Sequence, residues 1–342
     1  MGRITMKDVA NKAGVSVATV SNVLNNVNKK TTEETRVKVM SVVDELNYKL
    51  DMTARALSSG KSNLVGVFFA KHIIDGKKVP LLKENPFYSE ALSGIENRLS
   101  EKGYQLLVAS IDDKDEALDL IRRRMLDAVV IFGMRSDYLW STIKKSGVPL
   151  VSIDAHNDQA SVNVEMDNEY AGYIATKHLI ELGHKKIAFC SKYTDVSELI
   201  GGRYKGFLRA IKEGNLNVED CPIVESEINI EGGEDAGRLL LEKYSDITAV
   251  FTSADIIAFG IIKYYQANGK SVPDDLSVVG FDNLAACEYI HPGVTTIKQD
   301  IYEKGIKAAD ILVDLAQGIE VEKNYVLPVE LIIRESTKKY EK

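Results

Sequence analysis

Two doubly wound α/β lobes behind a small all-helical head: this is the fold class the 342-residue sequence predicts. Three observations carry it. From Leu64 onward, short β-rich apolar runs alternate with amphipathic helical stretches, which implies parallel sheets covered on both faces. The rhythm restarts after Asp158, so a second lobe is expected. Before Leu64 there are only short helical patterns.

The head opens with MKDVANKAGVSVATVSNVLNN, residues 6–26, in which Val9 and Ala13 lie four apart before Gly14, and Val20 and Leu24 lie four apart after it. Each piece therefore buries one stripe. Gly14 is expected to turn the chain with positive φ, small Ala10 to let the two helices cross closely, Val15 to fill the corner and Ser16 to cap the second helix. A third helix opens at TTEETR, where Thr31 and Glu34 have capping-box spacing, and Val39, Val42, Val43 and Leu46 supply its apolar stripe. Polar NYKLDMTARALSSGKSN, residues 47–63, follows as a linker; in it Asp51 can cap a brief helix over TARALSS that would form only when docked.

In the first lobe the strands are LVGVFFA, YQLLVAS, AVVIFG and PLVSIDA, with YSEALSGIENRLSEKG among the helices. SVNVEMD, KKIAFCS, ITAVFTS and LSVVGFD mark the second series, with EYAGYIATKHLIELGH and GGRYKGFLRAIKEGN as helices. TTIKQD, the helix IYEKGIKAADILVDLAQG and the strand pair NYVLPVELIIRES complete the chain. The expected division is a head at 1–47, a hinge helix and linker at 48–63, and a core at 64–342. The core's N-lobe is expected at about 64–158 plus 292–322, and its C-lobe at about 159–291 plus 323–342.

Composition narrows the class. Residues 1–61 hold ten basic against six acidic residues, a net of +4 that leaves −11 for the rest of a chain whose total is −7. A positive end on an acidic body suits a segment that meets a polyanion. No apolar run reaches the roughly 18 residues of a membrane span, and no secretory signal opens the chain, so a cytoplasmic protein is expected. Cys190, Cys221 and Cys287 are widely separated and read as buried thiols.

Three small helices, the second exposing Val17, Ala18, Ser21 and Asn22, make a helix-turn-helix unit. A recognition helix enters the major groove, where methyl groups can touch thymine and an amide such as Asn22 can pair with a base edge. Thr5, Thr19 and Ser21 are candidates for phosphate oxygens, and Ser16 and Asn25 complete the DNA-facing set. The same helices could also serve as a structural cap or a protein-binding hairpin.

The blocks VANKAGVSVATVSNVLN, TTEETRVKVMSVVDELNY and TARALSSGKSNLVGV, followed by NPFYSEALSGIE, DAVVIFG, GGRYKGF, TAVFTSADIIAFG, VPDDLSVVGFDN and TTIKQD, resemble the lactose and galactose repressor family of bacterial transcription regulators. The likeness spans Ile4 to about Ser336. It implies a core like a periplasmic sugar-binding protein, two lobes joined by three crossovers, and a homodimer on a near-palindromic operator in double-stranded DNA. It places Val17, Ala18 and Asn22 at base-reading positions, Leu57 as a minor-groove wedge, and Ser58 at another minor-groove contact. The chain departs from the family pattern in two places before the hinge and in the recognition helix. Tyr48-Lys49-Leu50-Asp51 lacks the usual proline, which raises the cost of ordering the hinge, and Asn22 replaces a common arginine or histidine, which implies an altered outer base. Residues 71–84 look like an insertion over the pocket mouth or at the dimer contact.

Ligands of doubly wound sheets bind beyond the carboxyl ends of strands. Phe87, Tyr88, Asp167, Arg203 and Asp255 are the effector-binding candidates on that ground, and the resemblance points to the same positions. Rings stack on a flat sugar or base face, while carboxylates and the guanidinium bind hydroxyls. Asp167 would also serve as a helix cap, and Asp282 reads as structural. The expected effector is a small carbohydrate or derivative, with a purine or nucleoside as the alternative.

An enzyme is not expected, and neither a cofactor nor a metal is implied. GKS at Gly60–Ser62 lacks the upstream glycine of a phosphate loop, since Arg55 stands there, and His178 and His184 are six apart and so off one helix face. A solute-binding protein would share the core but not the basic head.

Overall fold

The computed structural model describes residues 4–24, 31–48, 61–70, 72–74, 77–79, 82, 85–111, 113–132, 137–154, 162–192 and 198–341. The chain forms two compact units, 1–62 and 63–342.

In the first unit, α1 (Met6–Ala13), α2 (Val17–Leu24) and α3 (Glu33–Glu45) close on one cluster: Val9, Ala10, Ala13, Val20, Val23, Val39, Val42 and Val43. Gly14 ends α1 at φ 64°, as the turn requires. The start of α3 is shifted from expectation. Thr32, in extended conformation, caps it by accepting from the Thr35 amide at 3.3 Å, and Glu33 is already helical. Thr32 has the extended backbone and the hydroxyl reach that capping needs.

The second unit holds two six-stranded sheets. β1 (Leu64–Ala70) is followed by a small antiparallel hairpin, β2 (His72–Ile74) and β3 (Lys77–Val79), within the expected insertion. Next come α4 (Pro86–Glu101), β4 (Gln105–Ile111), α5 (Lys114–Arg124), β5 (Ala128–Phe132), α6 (Asp137–Lys145), β6 (Leu150–Ile153) and β7 (Val162–Met166). α7 (Asn168–Glu181), β8 (Ile187–Ser191), α8 (Glu198–Glu213), β9 (Ile223–Glu225), α9 (Ile230–Glu242), β10 (Ala249–Thr252), α10 (Asp255–Ala267), β11 (Ser277–Asp282) and the short α11 (Ala286–Tyr289) follow. β12 (Thr295–Gln299), α12 (Ile301–Ala316), β13 (Asn324–Leu327) and β14 (Val329–Ile332) complete the fold.

The N-lobe sheet runs β13-β7-β6-β5-β1-β4, wholly parallel, and the C-lobe sheet runs β14-β12-β11-β10-β8-β9, with β14 antiparallel to β12. Near-continuous apolar strands such as Ala128–Phe132 fit burial on both faces. The crossovers differ from the expected lobe boundaries. β7 belongs to the N-lobe, β12 to the C-lobe, and β13 and β14, expected as a pair, are in different sheets. The chain thus changes lobe after Met166, after Gln299 and at Pro328 rather than near 158, 291 and 322. Hydrophobic rhythm cannot assign a strand to one of two similar sheets, because both accept the same apolar run.

Candidate functional site

Two surfaces bear on function, one in each unit. In the head, Val20 and Val23 of α2 face the cluster, which leaves Val17 (45% exposed) and Ala18 in solvent with Ser21 and Asn22 half-buried one turn further on. Val17, Ala18 and Asn22 are the expected base-reading residues, and Ser21 the expected phosphate contact. Ser16 caps α2: its Oγ accepts from the Thr19 amide at 3.1 Å and lies 2.9 Å from the Thr19 hydroxyl. Thr5 caps α1 in a reciprocal box, its backbone N–H donating to Asp8 Oδ2 at 2.8 Å and its hydroxyl to the same oxygen at 2.7 Å. Those two hydrogen bonds hold the Asp8 carboxyl below its usual range. Thr5, Ser16 and Thr19 thus stand at helix N-termini, where the helix dipole suits a phosphate oxygen, whereas Ser21 lies within α2. Asn25, Leu57 and Ser58 lie outside the described residues.

The second surface lies where strand ends of the two lobes meet. Arg203, on α8, is held against the C-lobe sheet: its Nε donates to Asn168 Oδ1 at 3.1 Å, an Nη1 hydrogen goes to the Ser253 carbonyl at 2.5 Å, and the guanidinium lies 3.5 Å from the Phe281 ring centroid. α7 and α8 cross closely enough to place it because Gly172 has no side chain; a Cβ there would stand 2.1 Å from the Arg203 carbonyl oxygen. Burial pulls the guanidinium below its ordinary pKa, against the opposing fields of Asp282, Asp154 and Asp255.

Asp282 ends β11 at φ 117°, a conformation rare for any side-chain-bearing residue. It accepts from Gln299 Nε2. Gln299, at the second crossover, accepts in turn through Oε1 from Lys304 Nζ at 2.6 Å, and the same ammonium donates to both Asp154 oxygens at 2.8 Å. Lys304 is fully buried (0% exposed), and Asp154 directly follows β6 at φ 50°. Asp282 on the C-lobe is therefore joined through Gln299 to Lys304 and Asp154 on the N-lobe, and Arg203 lies in the field of Asp282 and Asp154. Burial raises the Asp282 carboxyl against the lowering field of Arg203.

Tyr88 and Phe87 start α4 beside this cluster. Tyr88 packs edge-on to Phe69 and Phe132, and Phe87 lies 5.9 Å from Lys304 Nζ. Burial, with Asp154 and Asp282 nearby, pushes the Tyr88 phenol up to about 12. The expected pocket residues Phe87, Tyr88 and Arg203 are thus gathered.

Asp255, expected to face the effector, is engaged within the fold. Asp255 is fully buried and both its oxygens are spent, Oδ2 on the Leu284 amide at 2.8 Å and Oδ1 on the Thr296 hydroxyl at 2.6 Å, so it fixes the loop after β11. Gly280 makes room for it, since a Cβ would meet Asp255 Oδ1 at 2.1 Å. Asp167 is exposed and caps α7 through the Tyr170 amide at 2.8 Å.

Among the described residues, two buried side-chain oxygens have no hydrogen-bond partner, Ser191 Oγ and Ser253 Oγ. Each such hydroxyl costs about 1–3 kcal/mol. Described His, Cys, Asp and Glu residues form no group that could hold a metal, and no described helix is long and apolar enough to cross a membrane.

Sequence reasoning missed Asp154, Gln299, Lys304 and the two serines. Asp154 satisfied the strand-end rule, and Lys304 shares the i, i+3, i+4 face of Ile301, Gly305 and Ala308, which is buried.

Matches to known proteins fall in both units. The profile described as bacterial regulatory proteins, lacI family, matches residues 5–51, and that of the periplasmic binding protein-like domain matches 176–337. The HTH-type transcriptional repressor PurR of Photobacterium profundum is 31% identical over 98% of this chain and 98% of its own. A LacI family transcriptional regulator from Enterococcus faecium, solved with bound ribose, is 30% identical with a TM-score of 0.73, covering 81% of this chain and 100% of that one. The Lac repressor dimer bound to operator and the anti-inducer ONPF is 25% identical with a TM-score of 0.83, over 98% and 100% respectively.

Proposed function

Since the chain belongs to the lacI family of bacterial regulatory proteins, we propose that it represses transcription as a homodimer whose grip on a near-palindromic operator is set by an uncharged sugar held between the core lobes. The observation that carries this is the buried hydrogen-bonded chain Asp282–Gln299–Lys304–Asp154, which spans the two lobes with Arg203 in the field of Asp282 and with Tyr88 and Phe87 alongside. A ligand that exchanges hydrogen bonds with it changes the preferred lobe arrangement by its differential affinity for the two states.

In the head, Val17 and Ala18 meet base methyl groups, Asn22 reads a base edge, and the hydroxyls of Thr5, Ser16, Thr19 and Ser21, with Asn25, fix register on the backbone. Leu57 wedges into the minor groove beside Ser58, and two hinge segments at 48–63, one per subunit, order together on DNA. The protein works in the cytoplasm and leaves its effector chemically unaltered.

A sugar is favoured over a purine because the cleft mixes acceptors (Asp154, Asp282) with the donor Arg203, the pattern hydroxyls satisfy. The ribose bound to the Enterococcus faecium relative supports the same class.

Nuclease footprinting of genomic fragments, with and without sugars, tests the proposal. A protected inverted repeat is expected, with affinity falling steeply as salt rises. Absence of any protected repeat under every sugar overturns it. Removing residues 1–61 should abolish operator binding and leave sugar binding intact. Asn22→Ala should lose about 1–3 kcal/mol of discrimination at one base pair per half-site, measured by competition with substituted operators.

A further inference from the structure

We propose that Ser191 and Ser253 form a specificity subsite, beside Arg203, that reads adjacent hydroxyl groups of an uncharged sugar; the proposal rests on the effector-cleft function above. The two serines occupy corresponding places on neighbouring parallel strands. Ser191 is the last residue of β8 and Ser253 follows β10, and the register pairs Thr252 with Cys190 immediately before them. The Ser253 amide donates to the Cys190 carbonyl at 2.9 Å, so the two chains remain adjacent at this point.

Alternation fixes the face. Ile187 and Phe189 of β8, with Ala249 and Phe251 of β10, pack with Phe207 and Phe281 under α7 and α8, whereas Ala188, Cys190 and Val250 pack on the opposite face under α9 and α10. The next step along β8 places Ser191 on the Phe281 face, which is the face over which Arg203 lies, and Ser253, one residue past β10, is held beside it through its amide. Arg203 is tied to the same spot by its hydrogen bond to the Ser253 carbonyl.

Both hydroxyls are withdrawn from water, and neither has a partner among the described residues. Most other polar groups nearby are already committed. Lys304 gives its three hydrogens to Asp154 and Gln299, and Asp255 has both oxygens occupied. A phosphate would ask for several donors at one point, and Lys304 has none to spare. A serine hydroxyl donates one hydrogen and accepts another, and so does a sugar hydroxyl. Two such serines side by side, flanked by the donor Arg203, match a pair of neighbouring hydroxyls on a neutral ring.

The test uses the full-length protein with D-ribose, D-glucose, their 2-deoxy forms, ribose 5-phosphate and glucose 6-phosphate, followed by calorimetry and thermal melting. An uncharged sugar should bind more tightly than its phosphate. Ser191→Ala and Ser253→Ala should each raise the melting temperature of the ligand-free protein, because an unpaired buried hydroxyl is removed, and weaken binding of that sugar about tenfold. At least one variant should discriminate less between the sugar and its deoxy form. Ser191→Cys and Ser253→Cys provide the same comparison at nearly unchanged volume.

Sugar binding unchanged in both serine variants but lost in Arg203→Met overturns the subsite and leaves the cleft in place. Binding that survives Arg203→Met as well places the effector elsewhere and overturns the cleft function itself. A lower ligand-free melting temperature in both alanine variants, tighter binding of the phosphates, or no binding of any probe overturns the proposal.

Discussion

The head and the core use polar side chains in opposite ways. In the head the fully buried part of the apolar cluster is alanine and valine among the described residues, and its polar groups (Thr5, Asp8, Ser16, Thr32) stand at helix ends in or near water. In the core, clusters with Trp140, Phe68, Phe189, Phe207, Phe251 and Phe281 at their centres surround a lysine and three aspartates taken almost wholly out of water. A domain of roughly 60 residues buries too little surface to offset a stranded charge. A core several times larger can hold such a cluster, provided every charge has its partner. Polar groups of the head therefore set local geometry at small individual cost, while those of the core stand or fall together.

The largest effect should come from breaking the buried chain. Lys304→Met strands Asp154 and should cost the core about 3–5 kcal/mol in urea unfolding, with hydrogen-exchange protection of the Val39, Val42 and Val43 amides unchanged. A loss under about 1 kcal/mol would mean that Asp154 finds another partner and that the core tolerates its charges singly, as the head does.

Next is pH. Burial raises the Asp282 carboxyl above the ordinary 3.8, so the folded core retains a proton that the unfolded chain gives up. The stabilisation is complete below the unfolded value and is lost as pH rises through the folded one. Core stability should therefore decline from about pH 4 into the neutral range, and Asp282→Asn should flatten that slope in urea titrations at fixed ionic strength. Asp8 is shifted the other way by Thr5, so protection in the head should not follow the same trend. A parallel decline in both units would place the dominant proton outside the Asp282 cluster.

The smallest effect sharpens the contrast. Thr32→Ala removes one exposed cap and should cost the head about 1 kcal/mol, visible as lost exchange protection in α3 with the core melting unchanged.

Much of this was legible in the sequence. Gly14, the buried Val20 and the exposed Val17 and Ala18 could be placed because helical periodicity and turn chemistry are local properties, whereas the second buried residue of the stripe is Val23 and the expected Leu24 is half-buried. The strands could be found because burial on both faces leaves long apolar runs. Phe87, Tyr88 and Arg203 followed from the strand-end rule together with family likeness. Asp255 and Asp282 could not be told apart, because each is an aspartate near a strand end. What separates them is Thr296 and the Leu284 amide, which bind one of them and lie 41 and 29 residues away from it.

By itself the sequence determined the kinds of element, their order, the polarity of each helix face and the contrast between a basic head and an acidic body. These depend on residues within a turn or two of one another, or on sums over a segment. Only the tertiary structure decided which sheet takes β7, β12 and β13, which aspartate is spent inside the fold, and that Lys304 joins Asp154 across 150 residues. A hydrogen bond across such a separation is set by how whole lobes pack, and no local pattern of side chains encodes it.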